Sequence, residues 1–145
     1  MATLPHSLRV PKNLDDEIRR EIRRRGARGW TDAALALLEE AVRVSRVPGI
    51  VFVEGRGGRR AAVAFSGLEV WEIIAAWREA GNDWAKLRKA YAELSETQLR
   101  AALAYYELYP TEIDERLVAE EYWTPERLAA ELPFTRGPQP ARRRR

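Results

Sequence analysis

Hydrophobic and polar positions change period several times along the chain, and each change marks an element. Residues 7–11 read Ser-Leu-Arg-Val-Pro. Alternation puts Leu8 and Val10 on one face and Ser7 and Arg9 on the other, the two-residue period of a strand. Pro11 ends it, having no N–H to give a ladder. A helical stripe follows at once through Leu14, Ile18 and Ile22. Gly26 and Gly29 break that stripe, and a second apolar helix runs from about Thr31, a candidate N-cap, to Val44. One short strand and two helices cannot close a sheet, and the strand leaves backbone donors and acceptors unpaired. Pairing with the same strand of a second copy satisfies them. The result is a two-stranded antiparallel ribbon with Ser7 and Arg9 twice on its outer face, a shape that fits the major groove of DNA. The same pattern also serves an amphipathic hairpin used only for dimerisation. Arg9, facing outward beside a strongly basic helix, favours DNA.

Beyond a Pro-Gly turn signal near Arg46–Gly49, two apolar runs flank a glycine-rich stretch. Ile50–Val53 and Ala61–Phe65 around Glu54–Arg60 predict a β-hairpin. The glycines do not make a phosphate cradle, because no Gly-Lys-Ser/Thr triplet enters a helix. Arg56, Arg59 and Arg60 lie at the hairpin tip, where they either meet a phosphate or are simply solvated. Helical patterns follow. One runs from about Leu68 to Ala80 with Val70, Trp71, Ile74 and Trp77 inward, and one is capped by Asp83 and carries Trp84, Leu87 and Tyr91. Ser95-Glu96-Thr97-Gln98 is a capping box opening a third, with Leu99, Ala102, Leu103 and Tyr106 inward and Tyr105 near the surface. Pro110 stops it, and Thr111 starts another with Ile113, Leu117 and Val118 apolar. Thr124-Pro125-Glu126 then gives a cap and a first-turn proline before Leu128 and Leu132. The end, Gly-Pro-Gln-Pro and four arginines, has no means to pack.

Length and charge refine this picture. A chain of 145 residues suits one domain or two small ones. Cysteine is absent, so there is no disulfide framework and no thiolate nucleophile. No apolar run approaches the ~20 residues of a membrane span and no signal peptide opens the chain, so a cytoplasmic, non-membrane protein is expected. The net charge of +3 hides a polarity. Residues 1–30 carry eight Lys/Arg against four Asp/Glu, residues 67–135 seven against fourteen, and residues 136–145 five arginines and no acid. A basic head suits phosphate, and an acidic middle suits a different partner.

Two resemblances sharpen these expectations. Ser-Leu-Arg-Val-Pro, then Leu14-x-x-x-Ile18-x-x-x-Ile22, a glycine and a second helix resemble the ribbon-helix-helix family of dimeric repressors over about the first third of the chain. The resemblance implies that Ser7 and Arg9 read bases, with Pro5 and His6 at the rim. It also implies that the second helix holds a phosphate at its N-terminus, where this chain reads Arg28-Gly29-Trp30-Thr31-Asp32 instead of the family's small-polar pair before an acid. Lys12, Arg23, Arg28 and Thr31 are the accompanying candidates for DNA contact. Further on, Pro48-Gly49-Ile50, Arg60, Gly67-Leu68-x-Val70-Trp71-Glu72-Ile73, Tyr91, Leu94-Ser95-x-x-Gln98-Leu99-x-Ala101-Ala102-Leu103-x-Tyr105-Tyr106 and Tyr109-Pro110-x-x-Ile113-Asp114 resemble the family catalogued as domain of unknown function 433. That resemblance covers nearly half the chain. It implies a homeodomain-like or winged-helix-like lobe and a role as antitoxin, usually beside a PIN-type ribonuclease toxin.

The expected fold is therefore mostly α: a ribbon-helix-helix head over 1–46, a β-hairpin plus helix-turn-helix-like lobe over 48–121, and a toxin-binding segment with basic tail over 122–145. The helices near 83–92 and 95–109 have helix-turn-helix spacing, with Glu96, Thr97, Arg100 and Ala101 outward. Their acidic surroundings oppose phosphate binding, so protein contact is expected of them. Trp123, Leu128, Leu132, Phe134 and Arg136 are the candidate toxin contacts, with apolar anchors at helical spacing and an arginine suited to a metal-holding carboxylate. The same segment can instead pack back on its own lobe. Catalysis finds no constellation: His6 has no partner, and the acid pairs Asp15-Asp16, Glu39-Glu40 and Glu120-Glu121 diverge on helices and read as solvated faces. No cofactor is implied. The expected partners are double-stranded operator DNA, a PIN-type toxin and a second copy of the chain. A stand-alone DNA-binding regulator whose second lobe oligomerises or senses a ligand fits the same pattern.

Overall fold

The computed structural model describes residues 2–55 and 57–132. These are mostly helical, with seven helices and one two-stranded antiparallel sheet. The chain divides into two compact units between Pro48 and Gly49.

The first unit holds α1 (Lys12–Arg25) and α2 (Trp30–Arg46). Pro11 sits ahead of α1, and its carbonyl accepts the Asp15 N–H at 3.0 Å. Gly26 closes the helix at φ 62°, the left-handed geometry a glycine adopts without a Cβ clash. Thr31 does not cap α2. The Ala33 N–H already bonds the Gly29 carbonyl at 3.1 Å, so Trp30 and Thr31 are helical and Gly29 holds the cap position. Together the two helices bury only Ile18, Ala33 and Ala34. Residues 2–10 carry neither helix nor strand, since the expected ladder at 7–10 finds no second strand within the chain.

The second unit opens with β1 (Ile50–Gly55) and β2 (Gly58–Val63), paired in register from Ile50↔Val63 to Gly55↔Gly58. β1 reaches two residues and β2 three residues further into the glycine stretch than the apolar runs predict, because Val53↔Arg60, Glu54↔Arg59 and Gly55↔Gly58 still pair across the ladder, and β2 ends at Val63, two residues before the expected end. Arg59 bonds Glu54 at 3.0 Å and the Phe52 carbonyl at 2.9 Å, which stiffens the ribbon. Helices α3 (Val70–Glu79), α4 (Trp84–Ala90), α5 (Glu96–Leu108), α6 (Pro110–Tyr122) and α7 (Pro125–Glu131) follow. Three of the expected caps are formed. Asp83 accepts the Lys86 N–H at 3.0 Å, Ser95 and Gln98 form the reciprocal box at 2.9 and 3.1 Å, and Thr124 accepts the Arg127 N–H at 3.3 Å. Pro110 is the first residue of α6, where its missing N–H costs nothing.

The core of this unit is α5 packed against α3, α6 and both strands. Leu99, Ala101, Ala102 and Tyr105 are buried on it, which corrects the expected face. Tyr105 is fully buried and Tyr106 only partly; Ala101, expected outward, is enclosed. Gly49 packs against this face. It sits at φ 97°, and a Cβ placed on it would lie 3.4 Å from the Ala101 Cβ, so strand entry and helix meet there. Tyr105 meets Phe52 edge to face at 6.4 Å and Tyr109 at a tilt at 4.9 Å between centroids, and its hydroxyl donates to Glu112 at 3.0 Å. On α3 the buried residues are Val70, Ile73 and Ile74, while Trp71 and Trp77 are half-buried at the margin. Val118 on α6 points to solvent, and Ile113 and Leu117 face inward.

Candidate nucleic-acid and partner interfaces

The candidate DNA residues fall into two groups at opposite ends of α1. Ser7 and Arg9 are exposed on the arm, and Lys12 begins α1, its Nζ 2.8 Å from Asp16. Arg23 lies eleven residues on, about 16 Å away at 1.5 Å per residue. It is exposed, as are Arg28 in the turn and Thr31 in the first turn of α2. Arg23 and Arg28 have no ion pair among the described residues. Asp32 accepts the Arg28 N–H at 3.1 Å, which places a carboxylate in the first turn of α2, where a phosphate is expected.

Arg25 has a different task from its neighbours. Its side chain is 9% exposed and bonds Glu21 at 2.9 Å and Glu40 at 2.8 Å, joining α1 to α2. Glu40 is therefore an interhelical partner and not a solvated acid. Arg24 and Arg25 together hold the Glu21 carboxyl below the ordinary glutamate range. Asp15 is likewise held low, first by its bond to Arg19. The Arg25–Glu40 contact was not legible from spacing, because it depends on where α2 lies, whereas Asp15–Arg19 and Glu21–Arg25 follow the four-residue spacing of one helix face.

The same unit carries an open apolar groove of about 780 Å³. Leu8, Val10, Leu14, Ile18, Leu37 and Leu38 line it. Leu8 is 68% exposed, Leu14 46% and Leu38 51%. Leu35 and Val42 are exposed on α2 as well.

In the second unit, charge is segregated. Lys86, Arg88 and Lys89 cluster on α4, whereas α6 and α7 carry Glu112, Asp114, Glu115, Glu120, Glu121, Glu126 and Glu131. Glu96, Thr97 and Arg100 are exposed at the start of α5, and Arg100 is held by Glu96 at 2.7 Å and lies 4.6 Å from the Trp84 ring centroid. Of the candidate toxin contacts, Trp123, Leu128 and Leu132 line one cleft, together with Gly57, Arg60, Arg116 and Glu120. Leu128 and Leu132 are half-buried, so this part of the segment packs on its own lobe, while Trp123 and Tyr122 stay exposed in an edge-to-face pair at 5.3 Å. Phe134 and Arg136, like the Arg142–Arg145 run, lie outside the described residues. Glu120, expected as a solvated acid, pairs with Arg116.

No cluster of three or more His, Asp or Glu side chains suited to a metal occurs among the described residues, and His6 is exposed on the arm. No helix there is long and apolar enough to cross a membrane. No family model, no curated protein and no solved structure matches the chain.

Proposed function

We propose that this chain is the antitoxin and transcriptional autorepressor of a toxin–antitoxin pair. In this reading it acts in the cytoplasm as a dimer, binds double-stranded operator DNA through a ribbon-helix-helix head, and neutralises a PIN-type ribonuclease. The observation that carries the reading is the unfinished core of the first unit. Two helices that bury three residues and leave Leu8, Leu14 and Leu38 around an open groove make half of a core. A second copy laid across the groove covers these side chains and supplies the strand that residues 7–10 need. Ser7 and Arg9 then face outward beside Lys12. The second unit, with its resemblance to the antitoxin lobe, contributes the toxin contacts. Its acidic α6 and α7 repel DNA, and Trp123 is an exposed aromatic of the kind that anchors interfaces.

Gel-shift titration against the DNA upstream of the gene, with light scattering on the same sample, tests the first half. A dimer that binds this DNA well above random sequence is expected; a monomer, or equal affinity for both DNAs, contradicts it. Co-expression with the neighbouring gene tests the second half. The Trp123→Ala protein should lose inhibition of the neighbour's ribonuclease activity and keep DNA binding.

A further inference from the structure

Helix α6 buries one face and leaves the opposite one to solvent. Ile113 and Leu117 face the core, while Thr111, Glu115, Val118 and Tyr122 recur at helical spacing and stay exposed. Val118 is 67% exposed and Tyr122 47%, and Trp123 continues the patch just past the helix at 41%. The aromatic side chains are held in place. The Tyr122 hydroxyl donates to Glu131 at 3.2 Å, and Arg127 lies over the Tyr122 ring, 4.3 Å from the centroid. Acids rim this apolar centre. Glu115 and Glu121 are exposed and have no ion pair among the described residues. Together α6 and α7 hold seven acids against two arginines. An aromatic, apolar centre inside a charged rim is the anatomy of a protein interface. The uncompensated acids repel nucleic acid, and the partner that matches them is cationic.

We propose that this outward face of α6 docks into the cationic groove in which the ribonuclease holds its RNA, and so keeps RNA out. A protein that grips single-stranded RNA lines its groove with cations that track the phosphates, beside aromatic platforms for the bases. Glu115 and Glu121 meet those cations in place of phosphates. Val118, Tyr122 and Trp123 supply the apolar contact that bases otherwise make. The inference rests on the antitoxin reading and adds to it which surface of the partner the second unit covers.

The product of the neighbouring gene is purified, and its binding to the full chain is titrated by calorimetry at low and at high salt. Glu115, Val118 and Glu121 are exposed, so their variants should fold and bind operator DNA as the wild type does. Glu115→Lys and Glu121→Lys should each weaken binding about tenfold or more at low salt, and the gap should narrow as salt screens it. Val118→Ser should weaken binding several-fold at either salt. Glu93→Lys makes the same change of charge at an exposed position in the turn after α4, and should bind like the wild type. A fluorescent, uncleavable 2′-O-methyl RNA strand on the same partner should be released by the wild-type chain and retained when either charge-reversed variant is added at the same concentration. Wild-type binding that Glu115→Lys and Glu121→Lys leave unchanged, or weaken no more than Glu93→Lys does, overturns the inference and leaves the antitoxin reading standing. So does a Val118→Ser protein that binds like the wild type, or a stable complex of chain, partner and RNA together. A wild-type chain that does not bind the neighbour overturns both.

Discussion

Arg25 and Glu40, fifteen residues apart in sequence, meet in a two-pronged ion pair, with Nη1 to Oε1 at 2.8 Å and Nη2 to Oε2 at 3.2 Å. This contact fixes α2 against α1 in a unit whose own apolar core is small. Planar guanidinium and planar carboxylate match in geometry, so the pair sets orientation as well as energy. Arg25→Ala should lower stability of the first unit by about 1.5–3 kcal/mol, the usual range for bonds to charged groups. A double-mutant cycle with Glu40→Gln, read by urea unfolding, should return a coupling of at least about 0.5 kcal/mol. Additive losses would mean that the two residues do not act together.

The groove of the first unit makes a prediction about concentration. If a second copy completes the core, the melting temperature should rise with protein concentration. Leu38→Glu puts a charge among Leu8, Leu14 and Leu37 and should abolish that rise and yield a monomer by light scattering. A wild-type protein that is monomeric at micromolar concentration with a concentration-independent melt would refute the dimeric head.

For DNA, the separation of the two groups along α1 predicts two kinds of loss. Arg9→Ala should weaken operator binding by about 1–3 kcal/mol and random DNA far less. Arg23→Ala and Arg28→Ala should weaken both alike and reduce the salt slope by about one unit each. Equal losses on operator and random DNA in Arg9→Ala would reassign Arg9 to the backbone.

Glu21 gives a pH prediction with a definite sign. In the folded chain Arg24, then Arg25, keeps its carboxyl below the ordinary glutamate range. The unfolded chain therefore takes up this proton first as the pH falls. The stabilisation is complete above the ordinary carboxylate range and is lost progressively as the pH falls from there through the lowered folded value. Glu21→Gln should cost stability at neutral pH and flatten the fall in stability on the acid side. Urea midpoints across a pH series would show this, and an unchanged acid slope would contradict it.

Phe65 predicts a gain. It lies at φ 61° and is fully exposed, so its side chain buries nothing while its backbone carries the cost of a left-handed L-residue. The turn around it is tied by Ser66 Oγ to the Val63 carbonyl at 2.7 Å and by Gln98 to the Ala64 carbonyl at 3.0 Å. Phe65→Gly should therefore stabilise the second unit or leave it unchanged within about 1 kcal/mol, because relieved strain offsets the added freedom of the unfolded chain. A loss near 3 kcal/mol in thermal unfolding would show that the ring is packed after all.

Local chemistry in the sequence determined where elements begin and end. Gly26, Asp83, the Ser95–Gln98 box, Pro110 and Thr124 each act within four residues, through backbone geometry or a single hydrogen bond, and all five appear at the expected boundaries. Alternation and the glycine stretch likewise foretold the hairpin. The face each helix buries was a different matter. In α5 nearly every residue from Leu99 to Tyr106 is apolar, so period alone allows the Leu103–Tyr106 face as readily as the Ala101–Tyr105 face. The face observed is the one that meets Gly49 through Ala101 and Phe52 through Tyr105, contacts that only the packed strands supply. Thr31 was misread as a cap because Gly29, without a side chain, gives no cap signal. Arg25 with Glu40, and the cleft that gathers Arg60 and Arg116 beside Trp123, unite residues far apart in sequence. Only packing decides which of twenty-five basic side chains meets which acid, because charge in a sequence has a sign and a position but no direction.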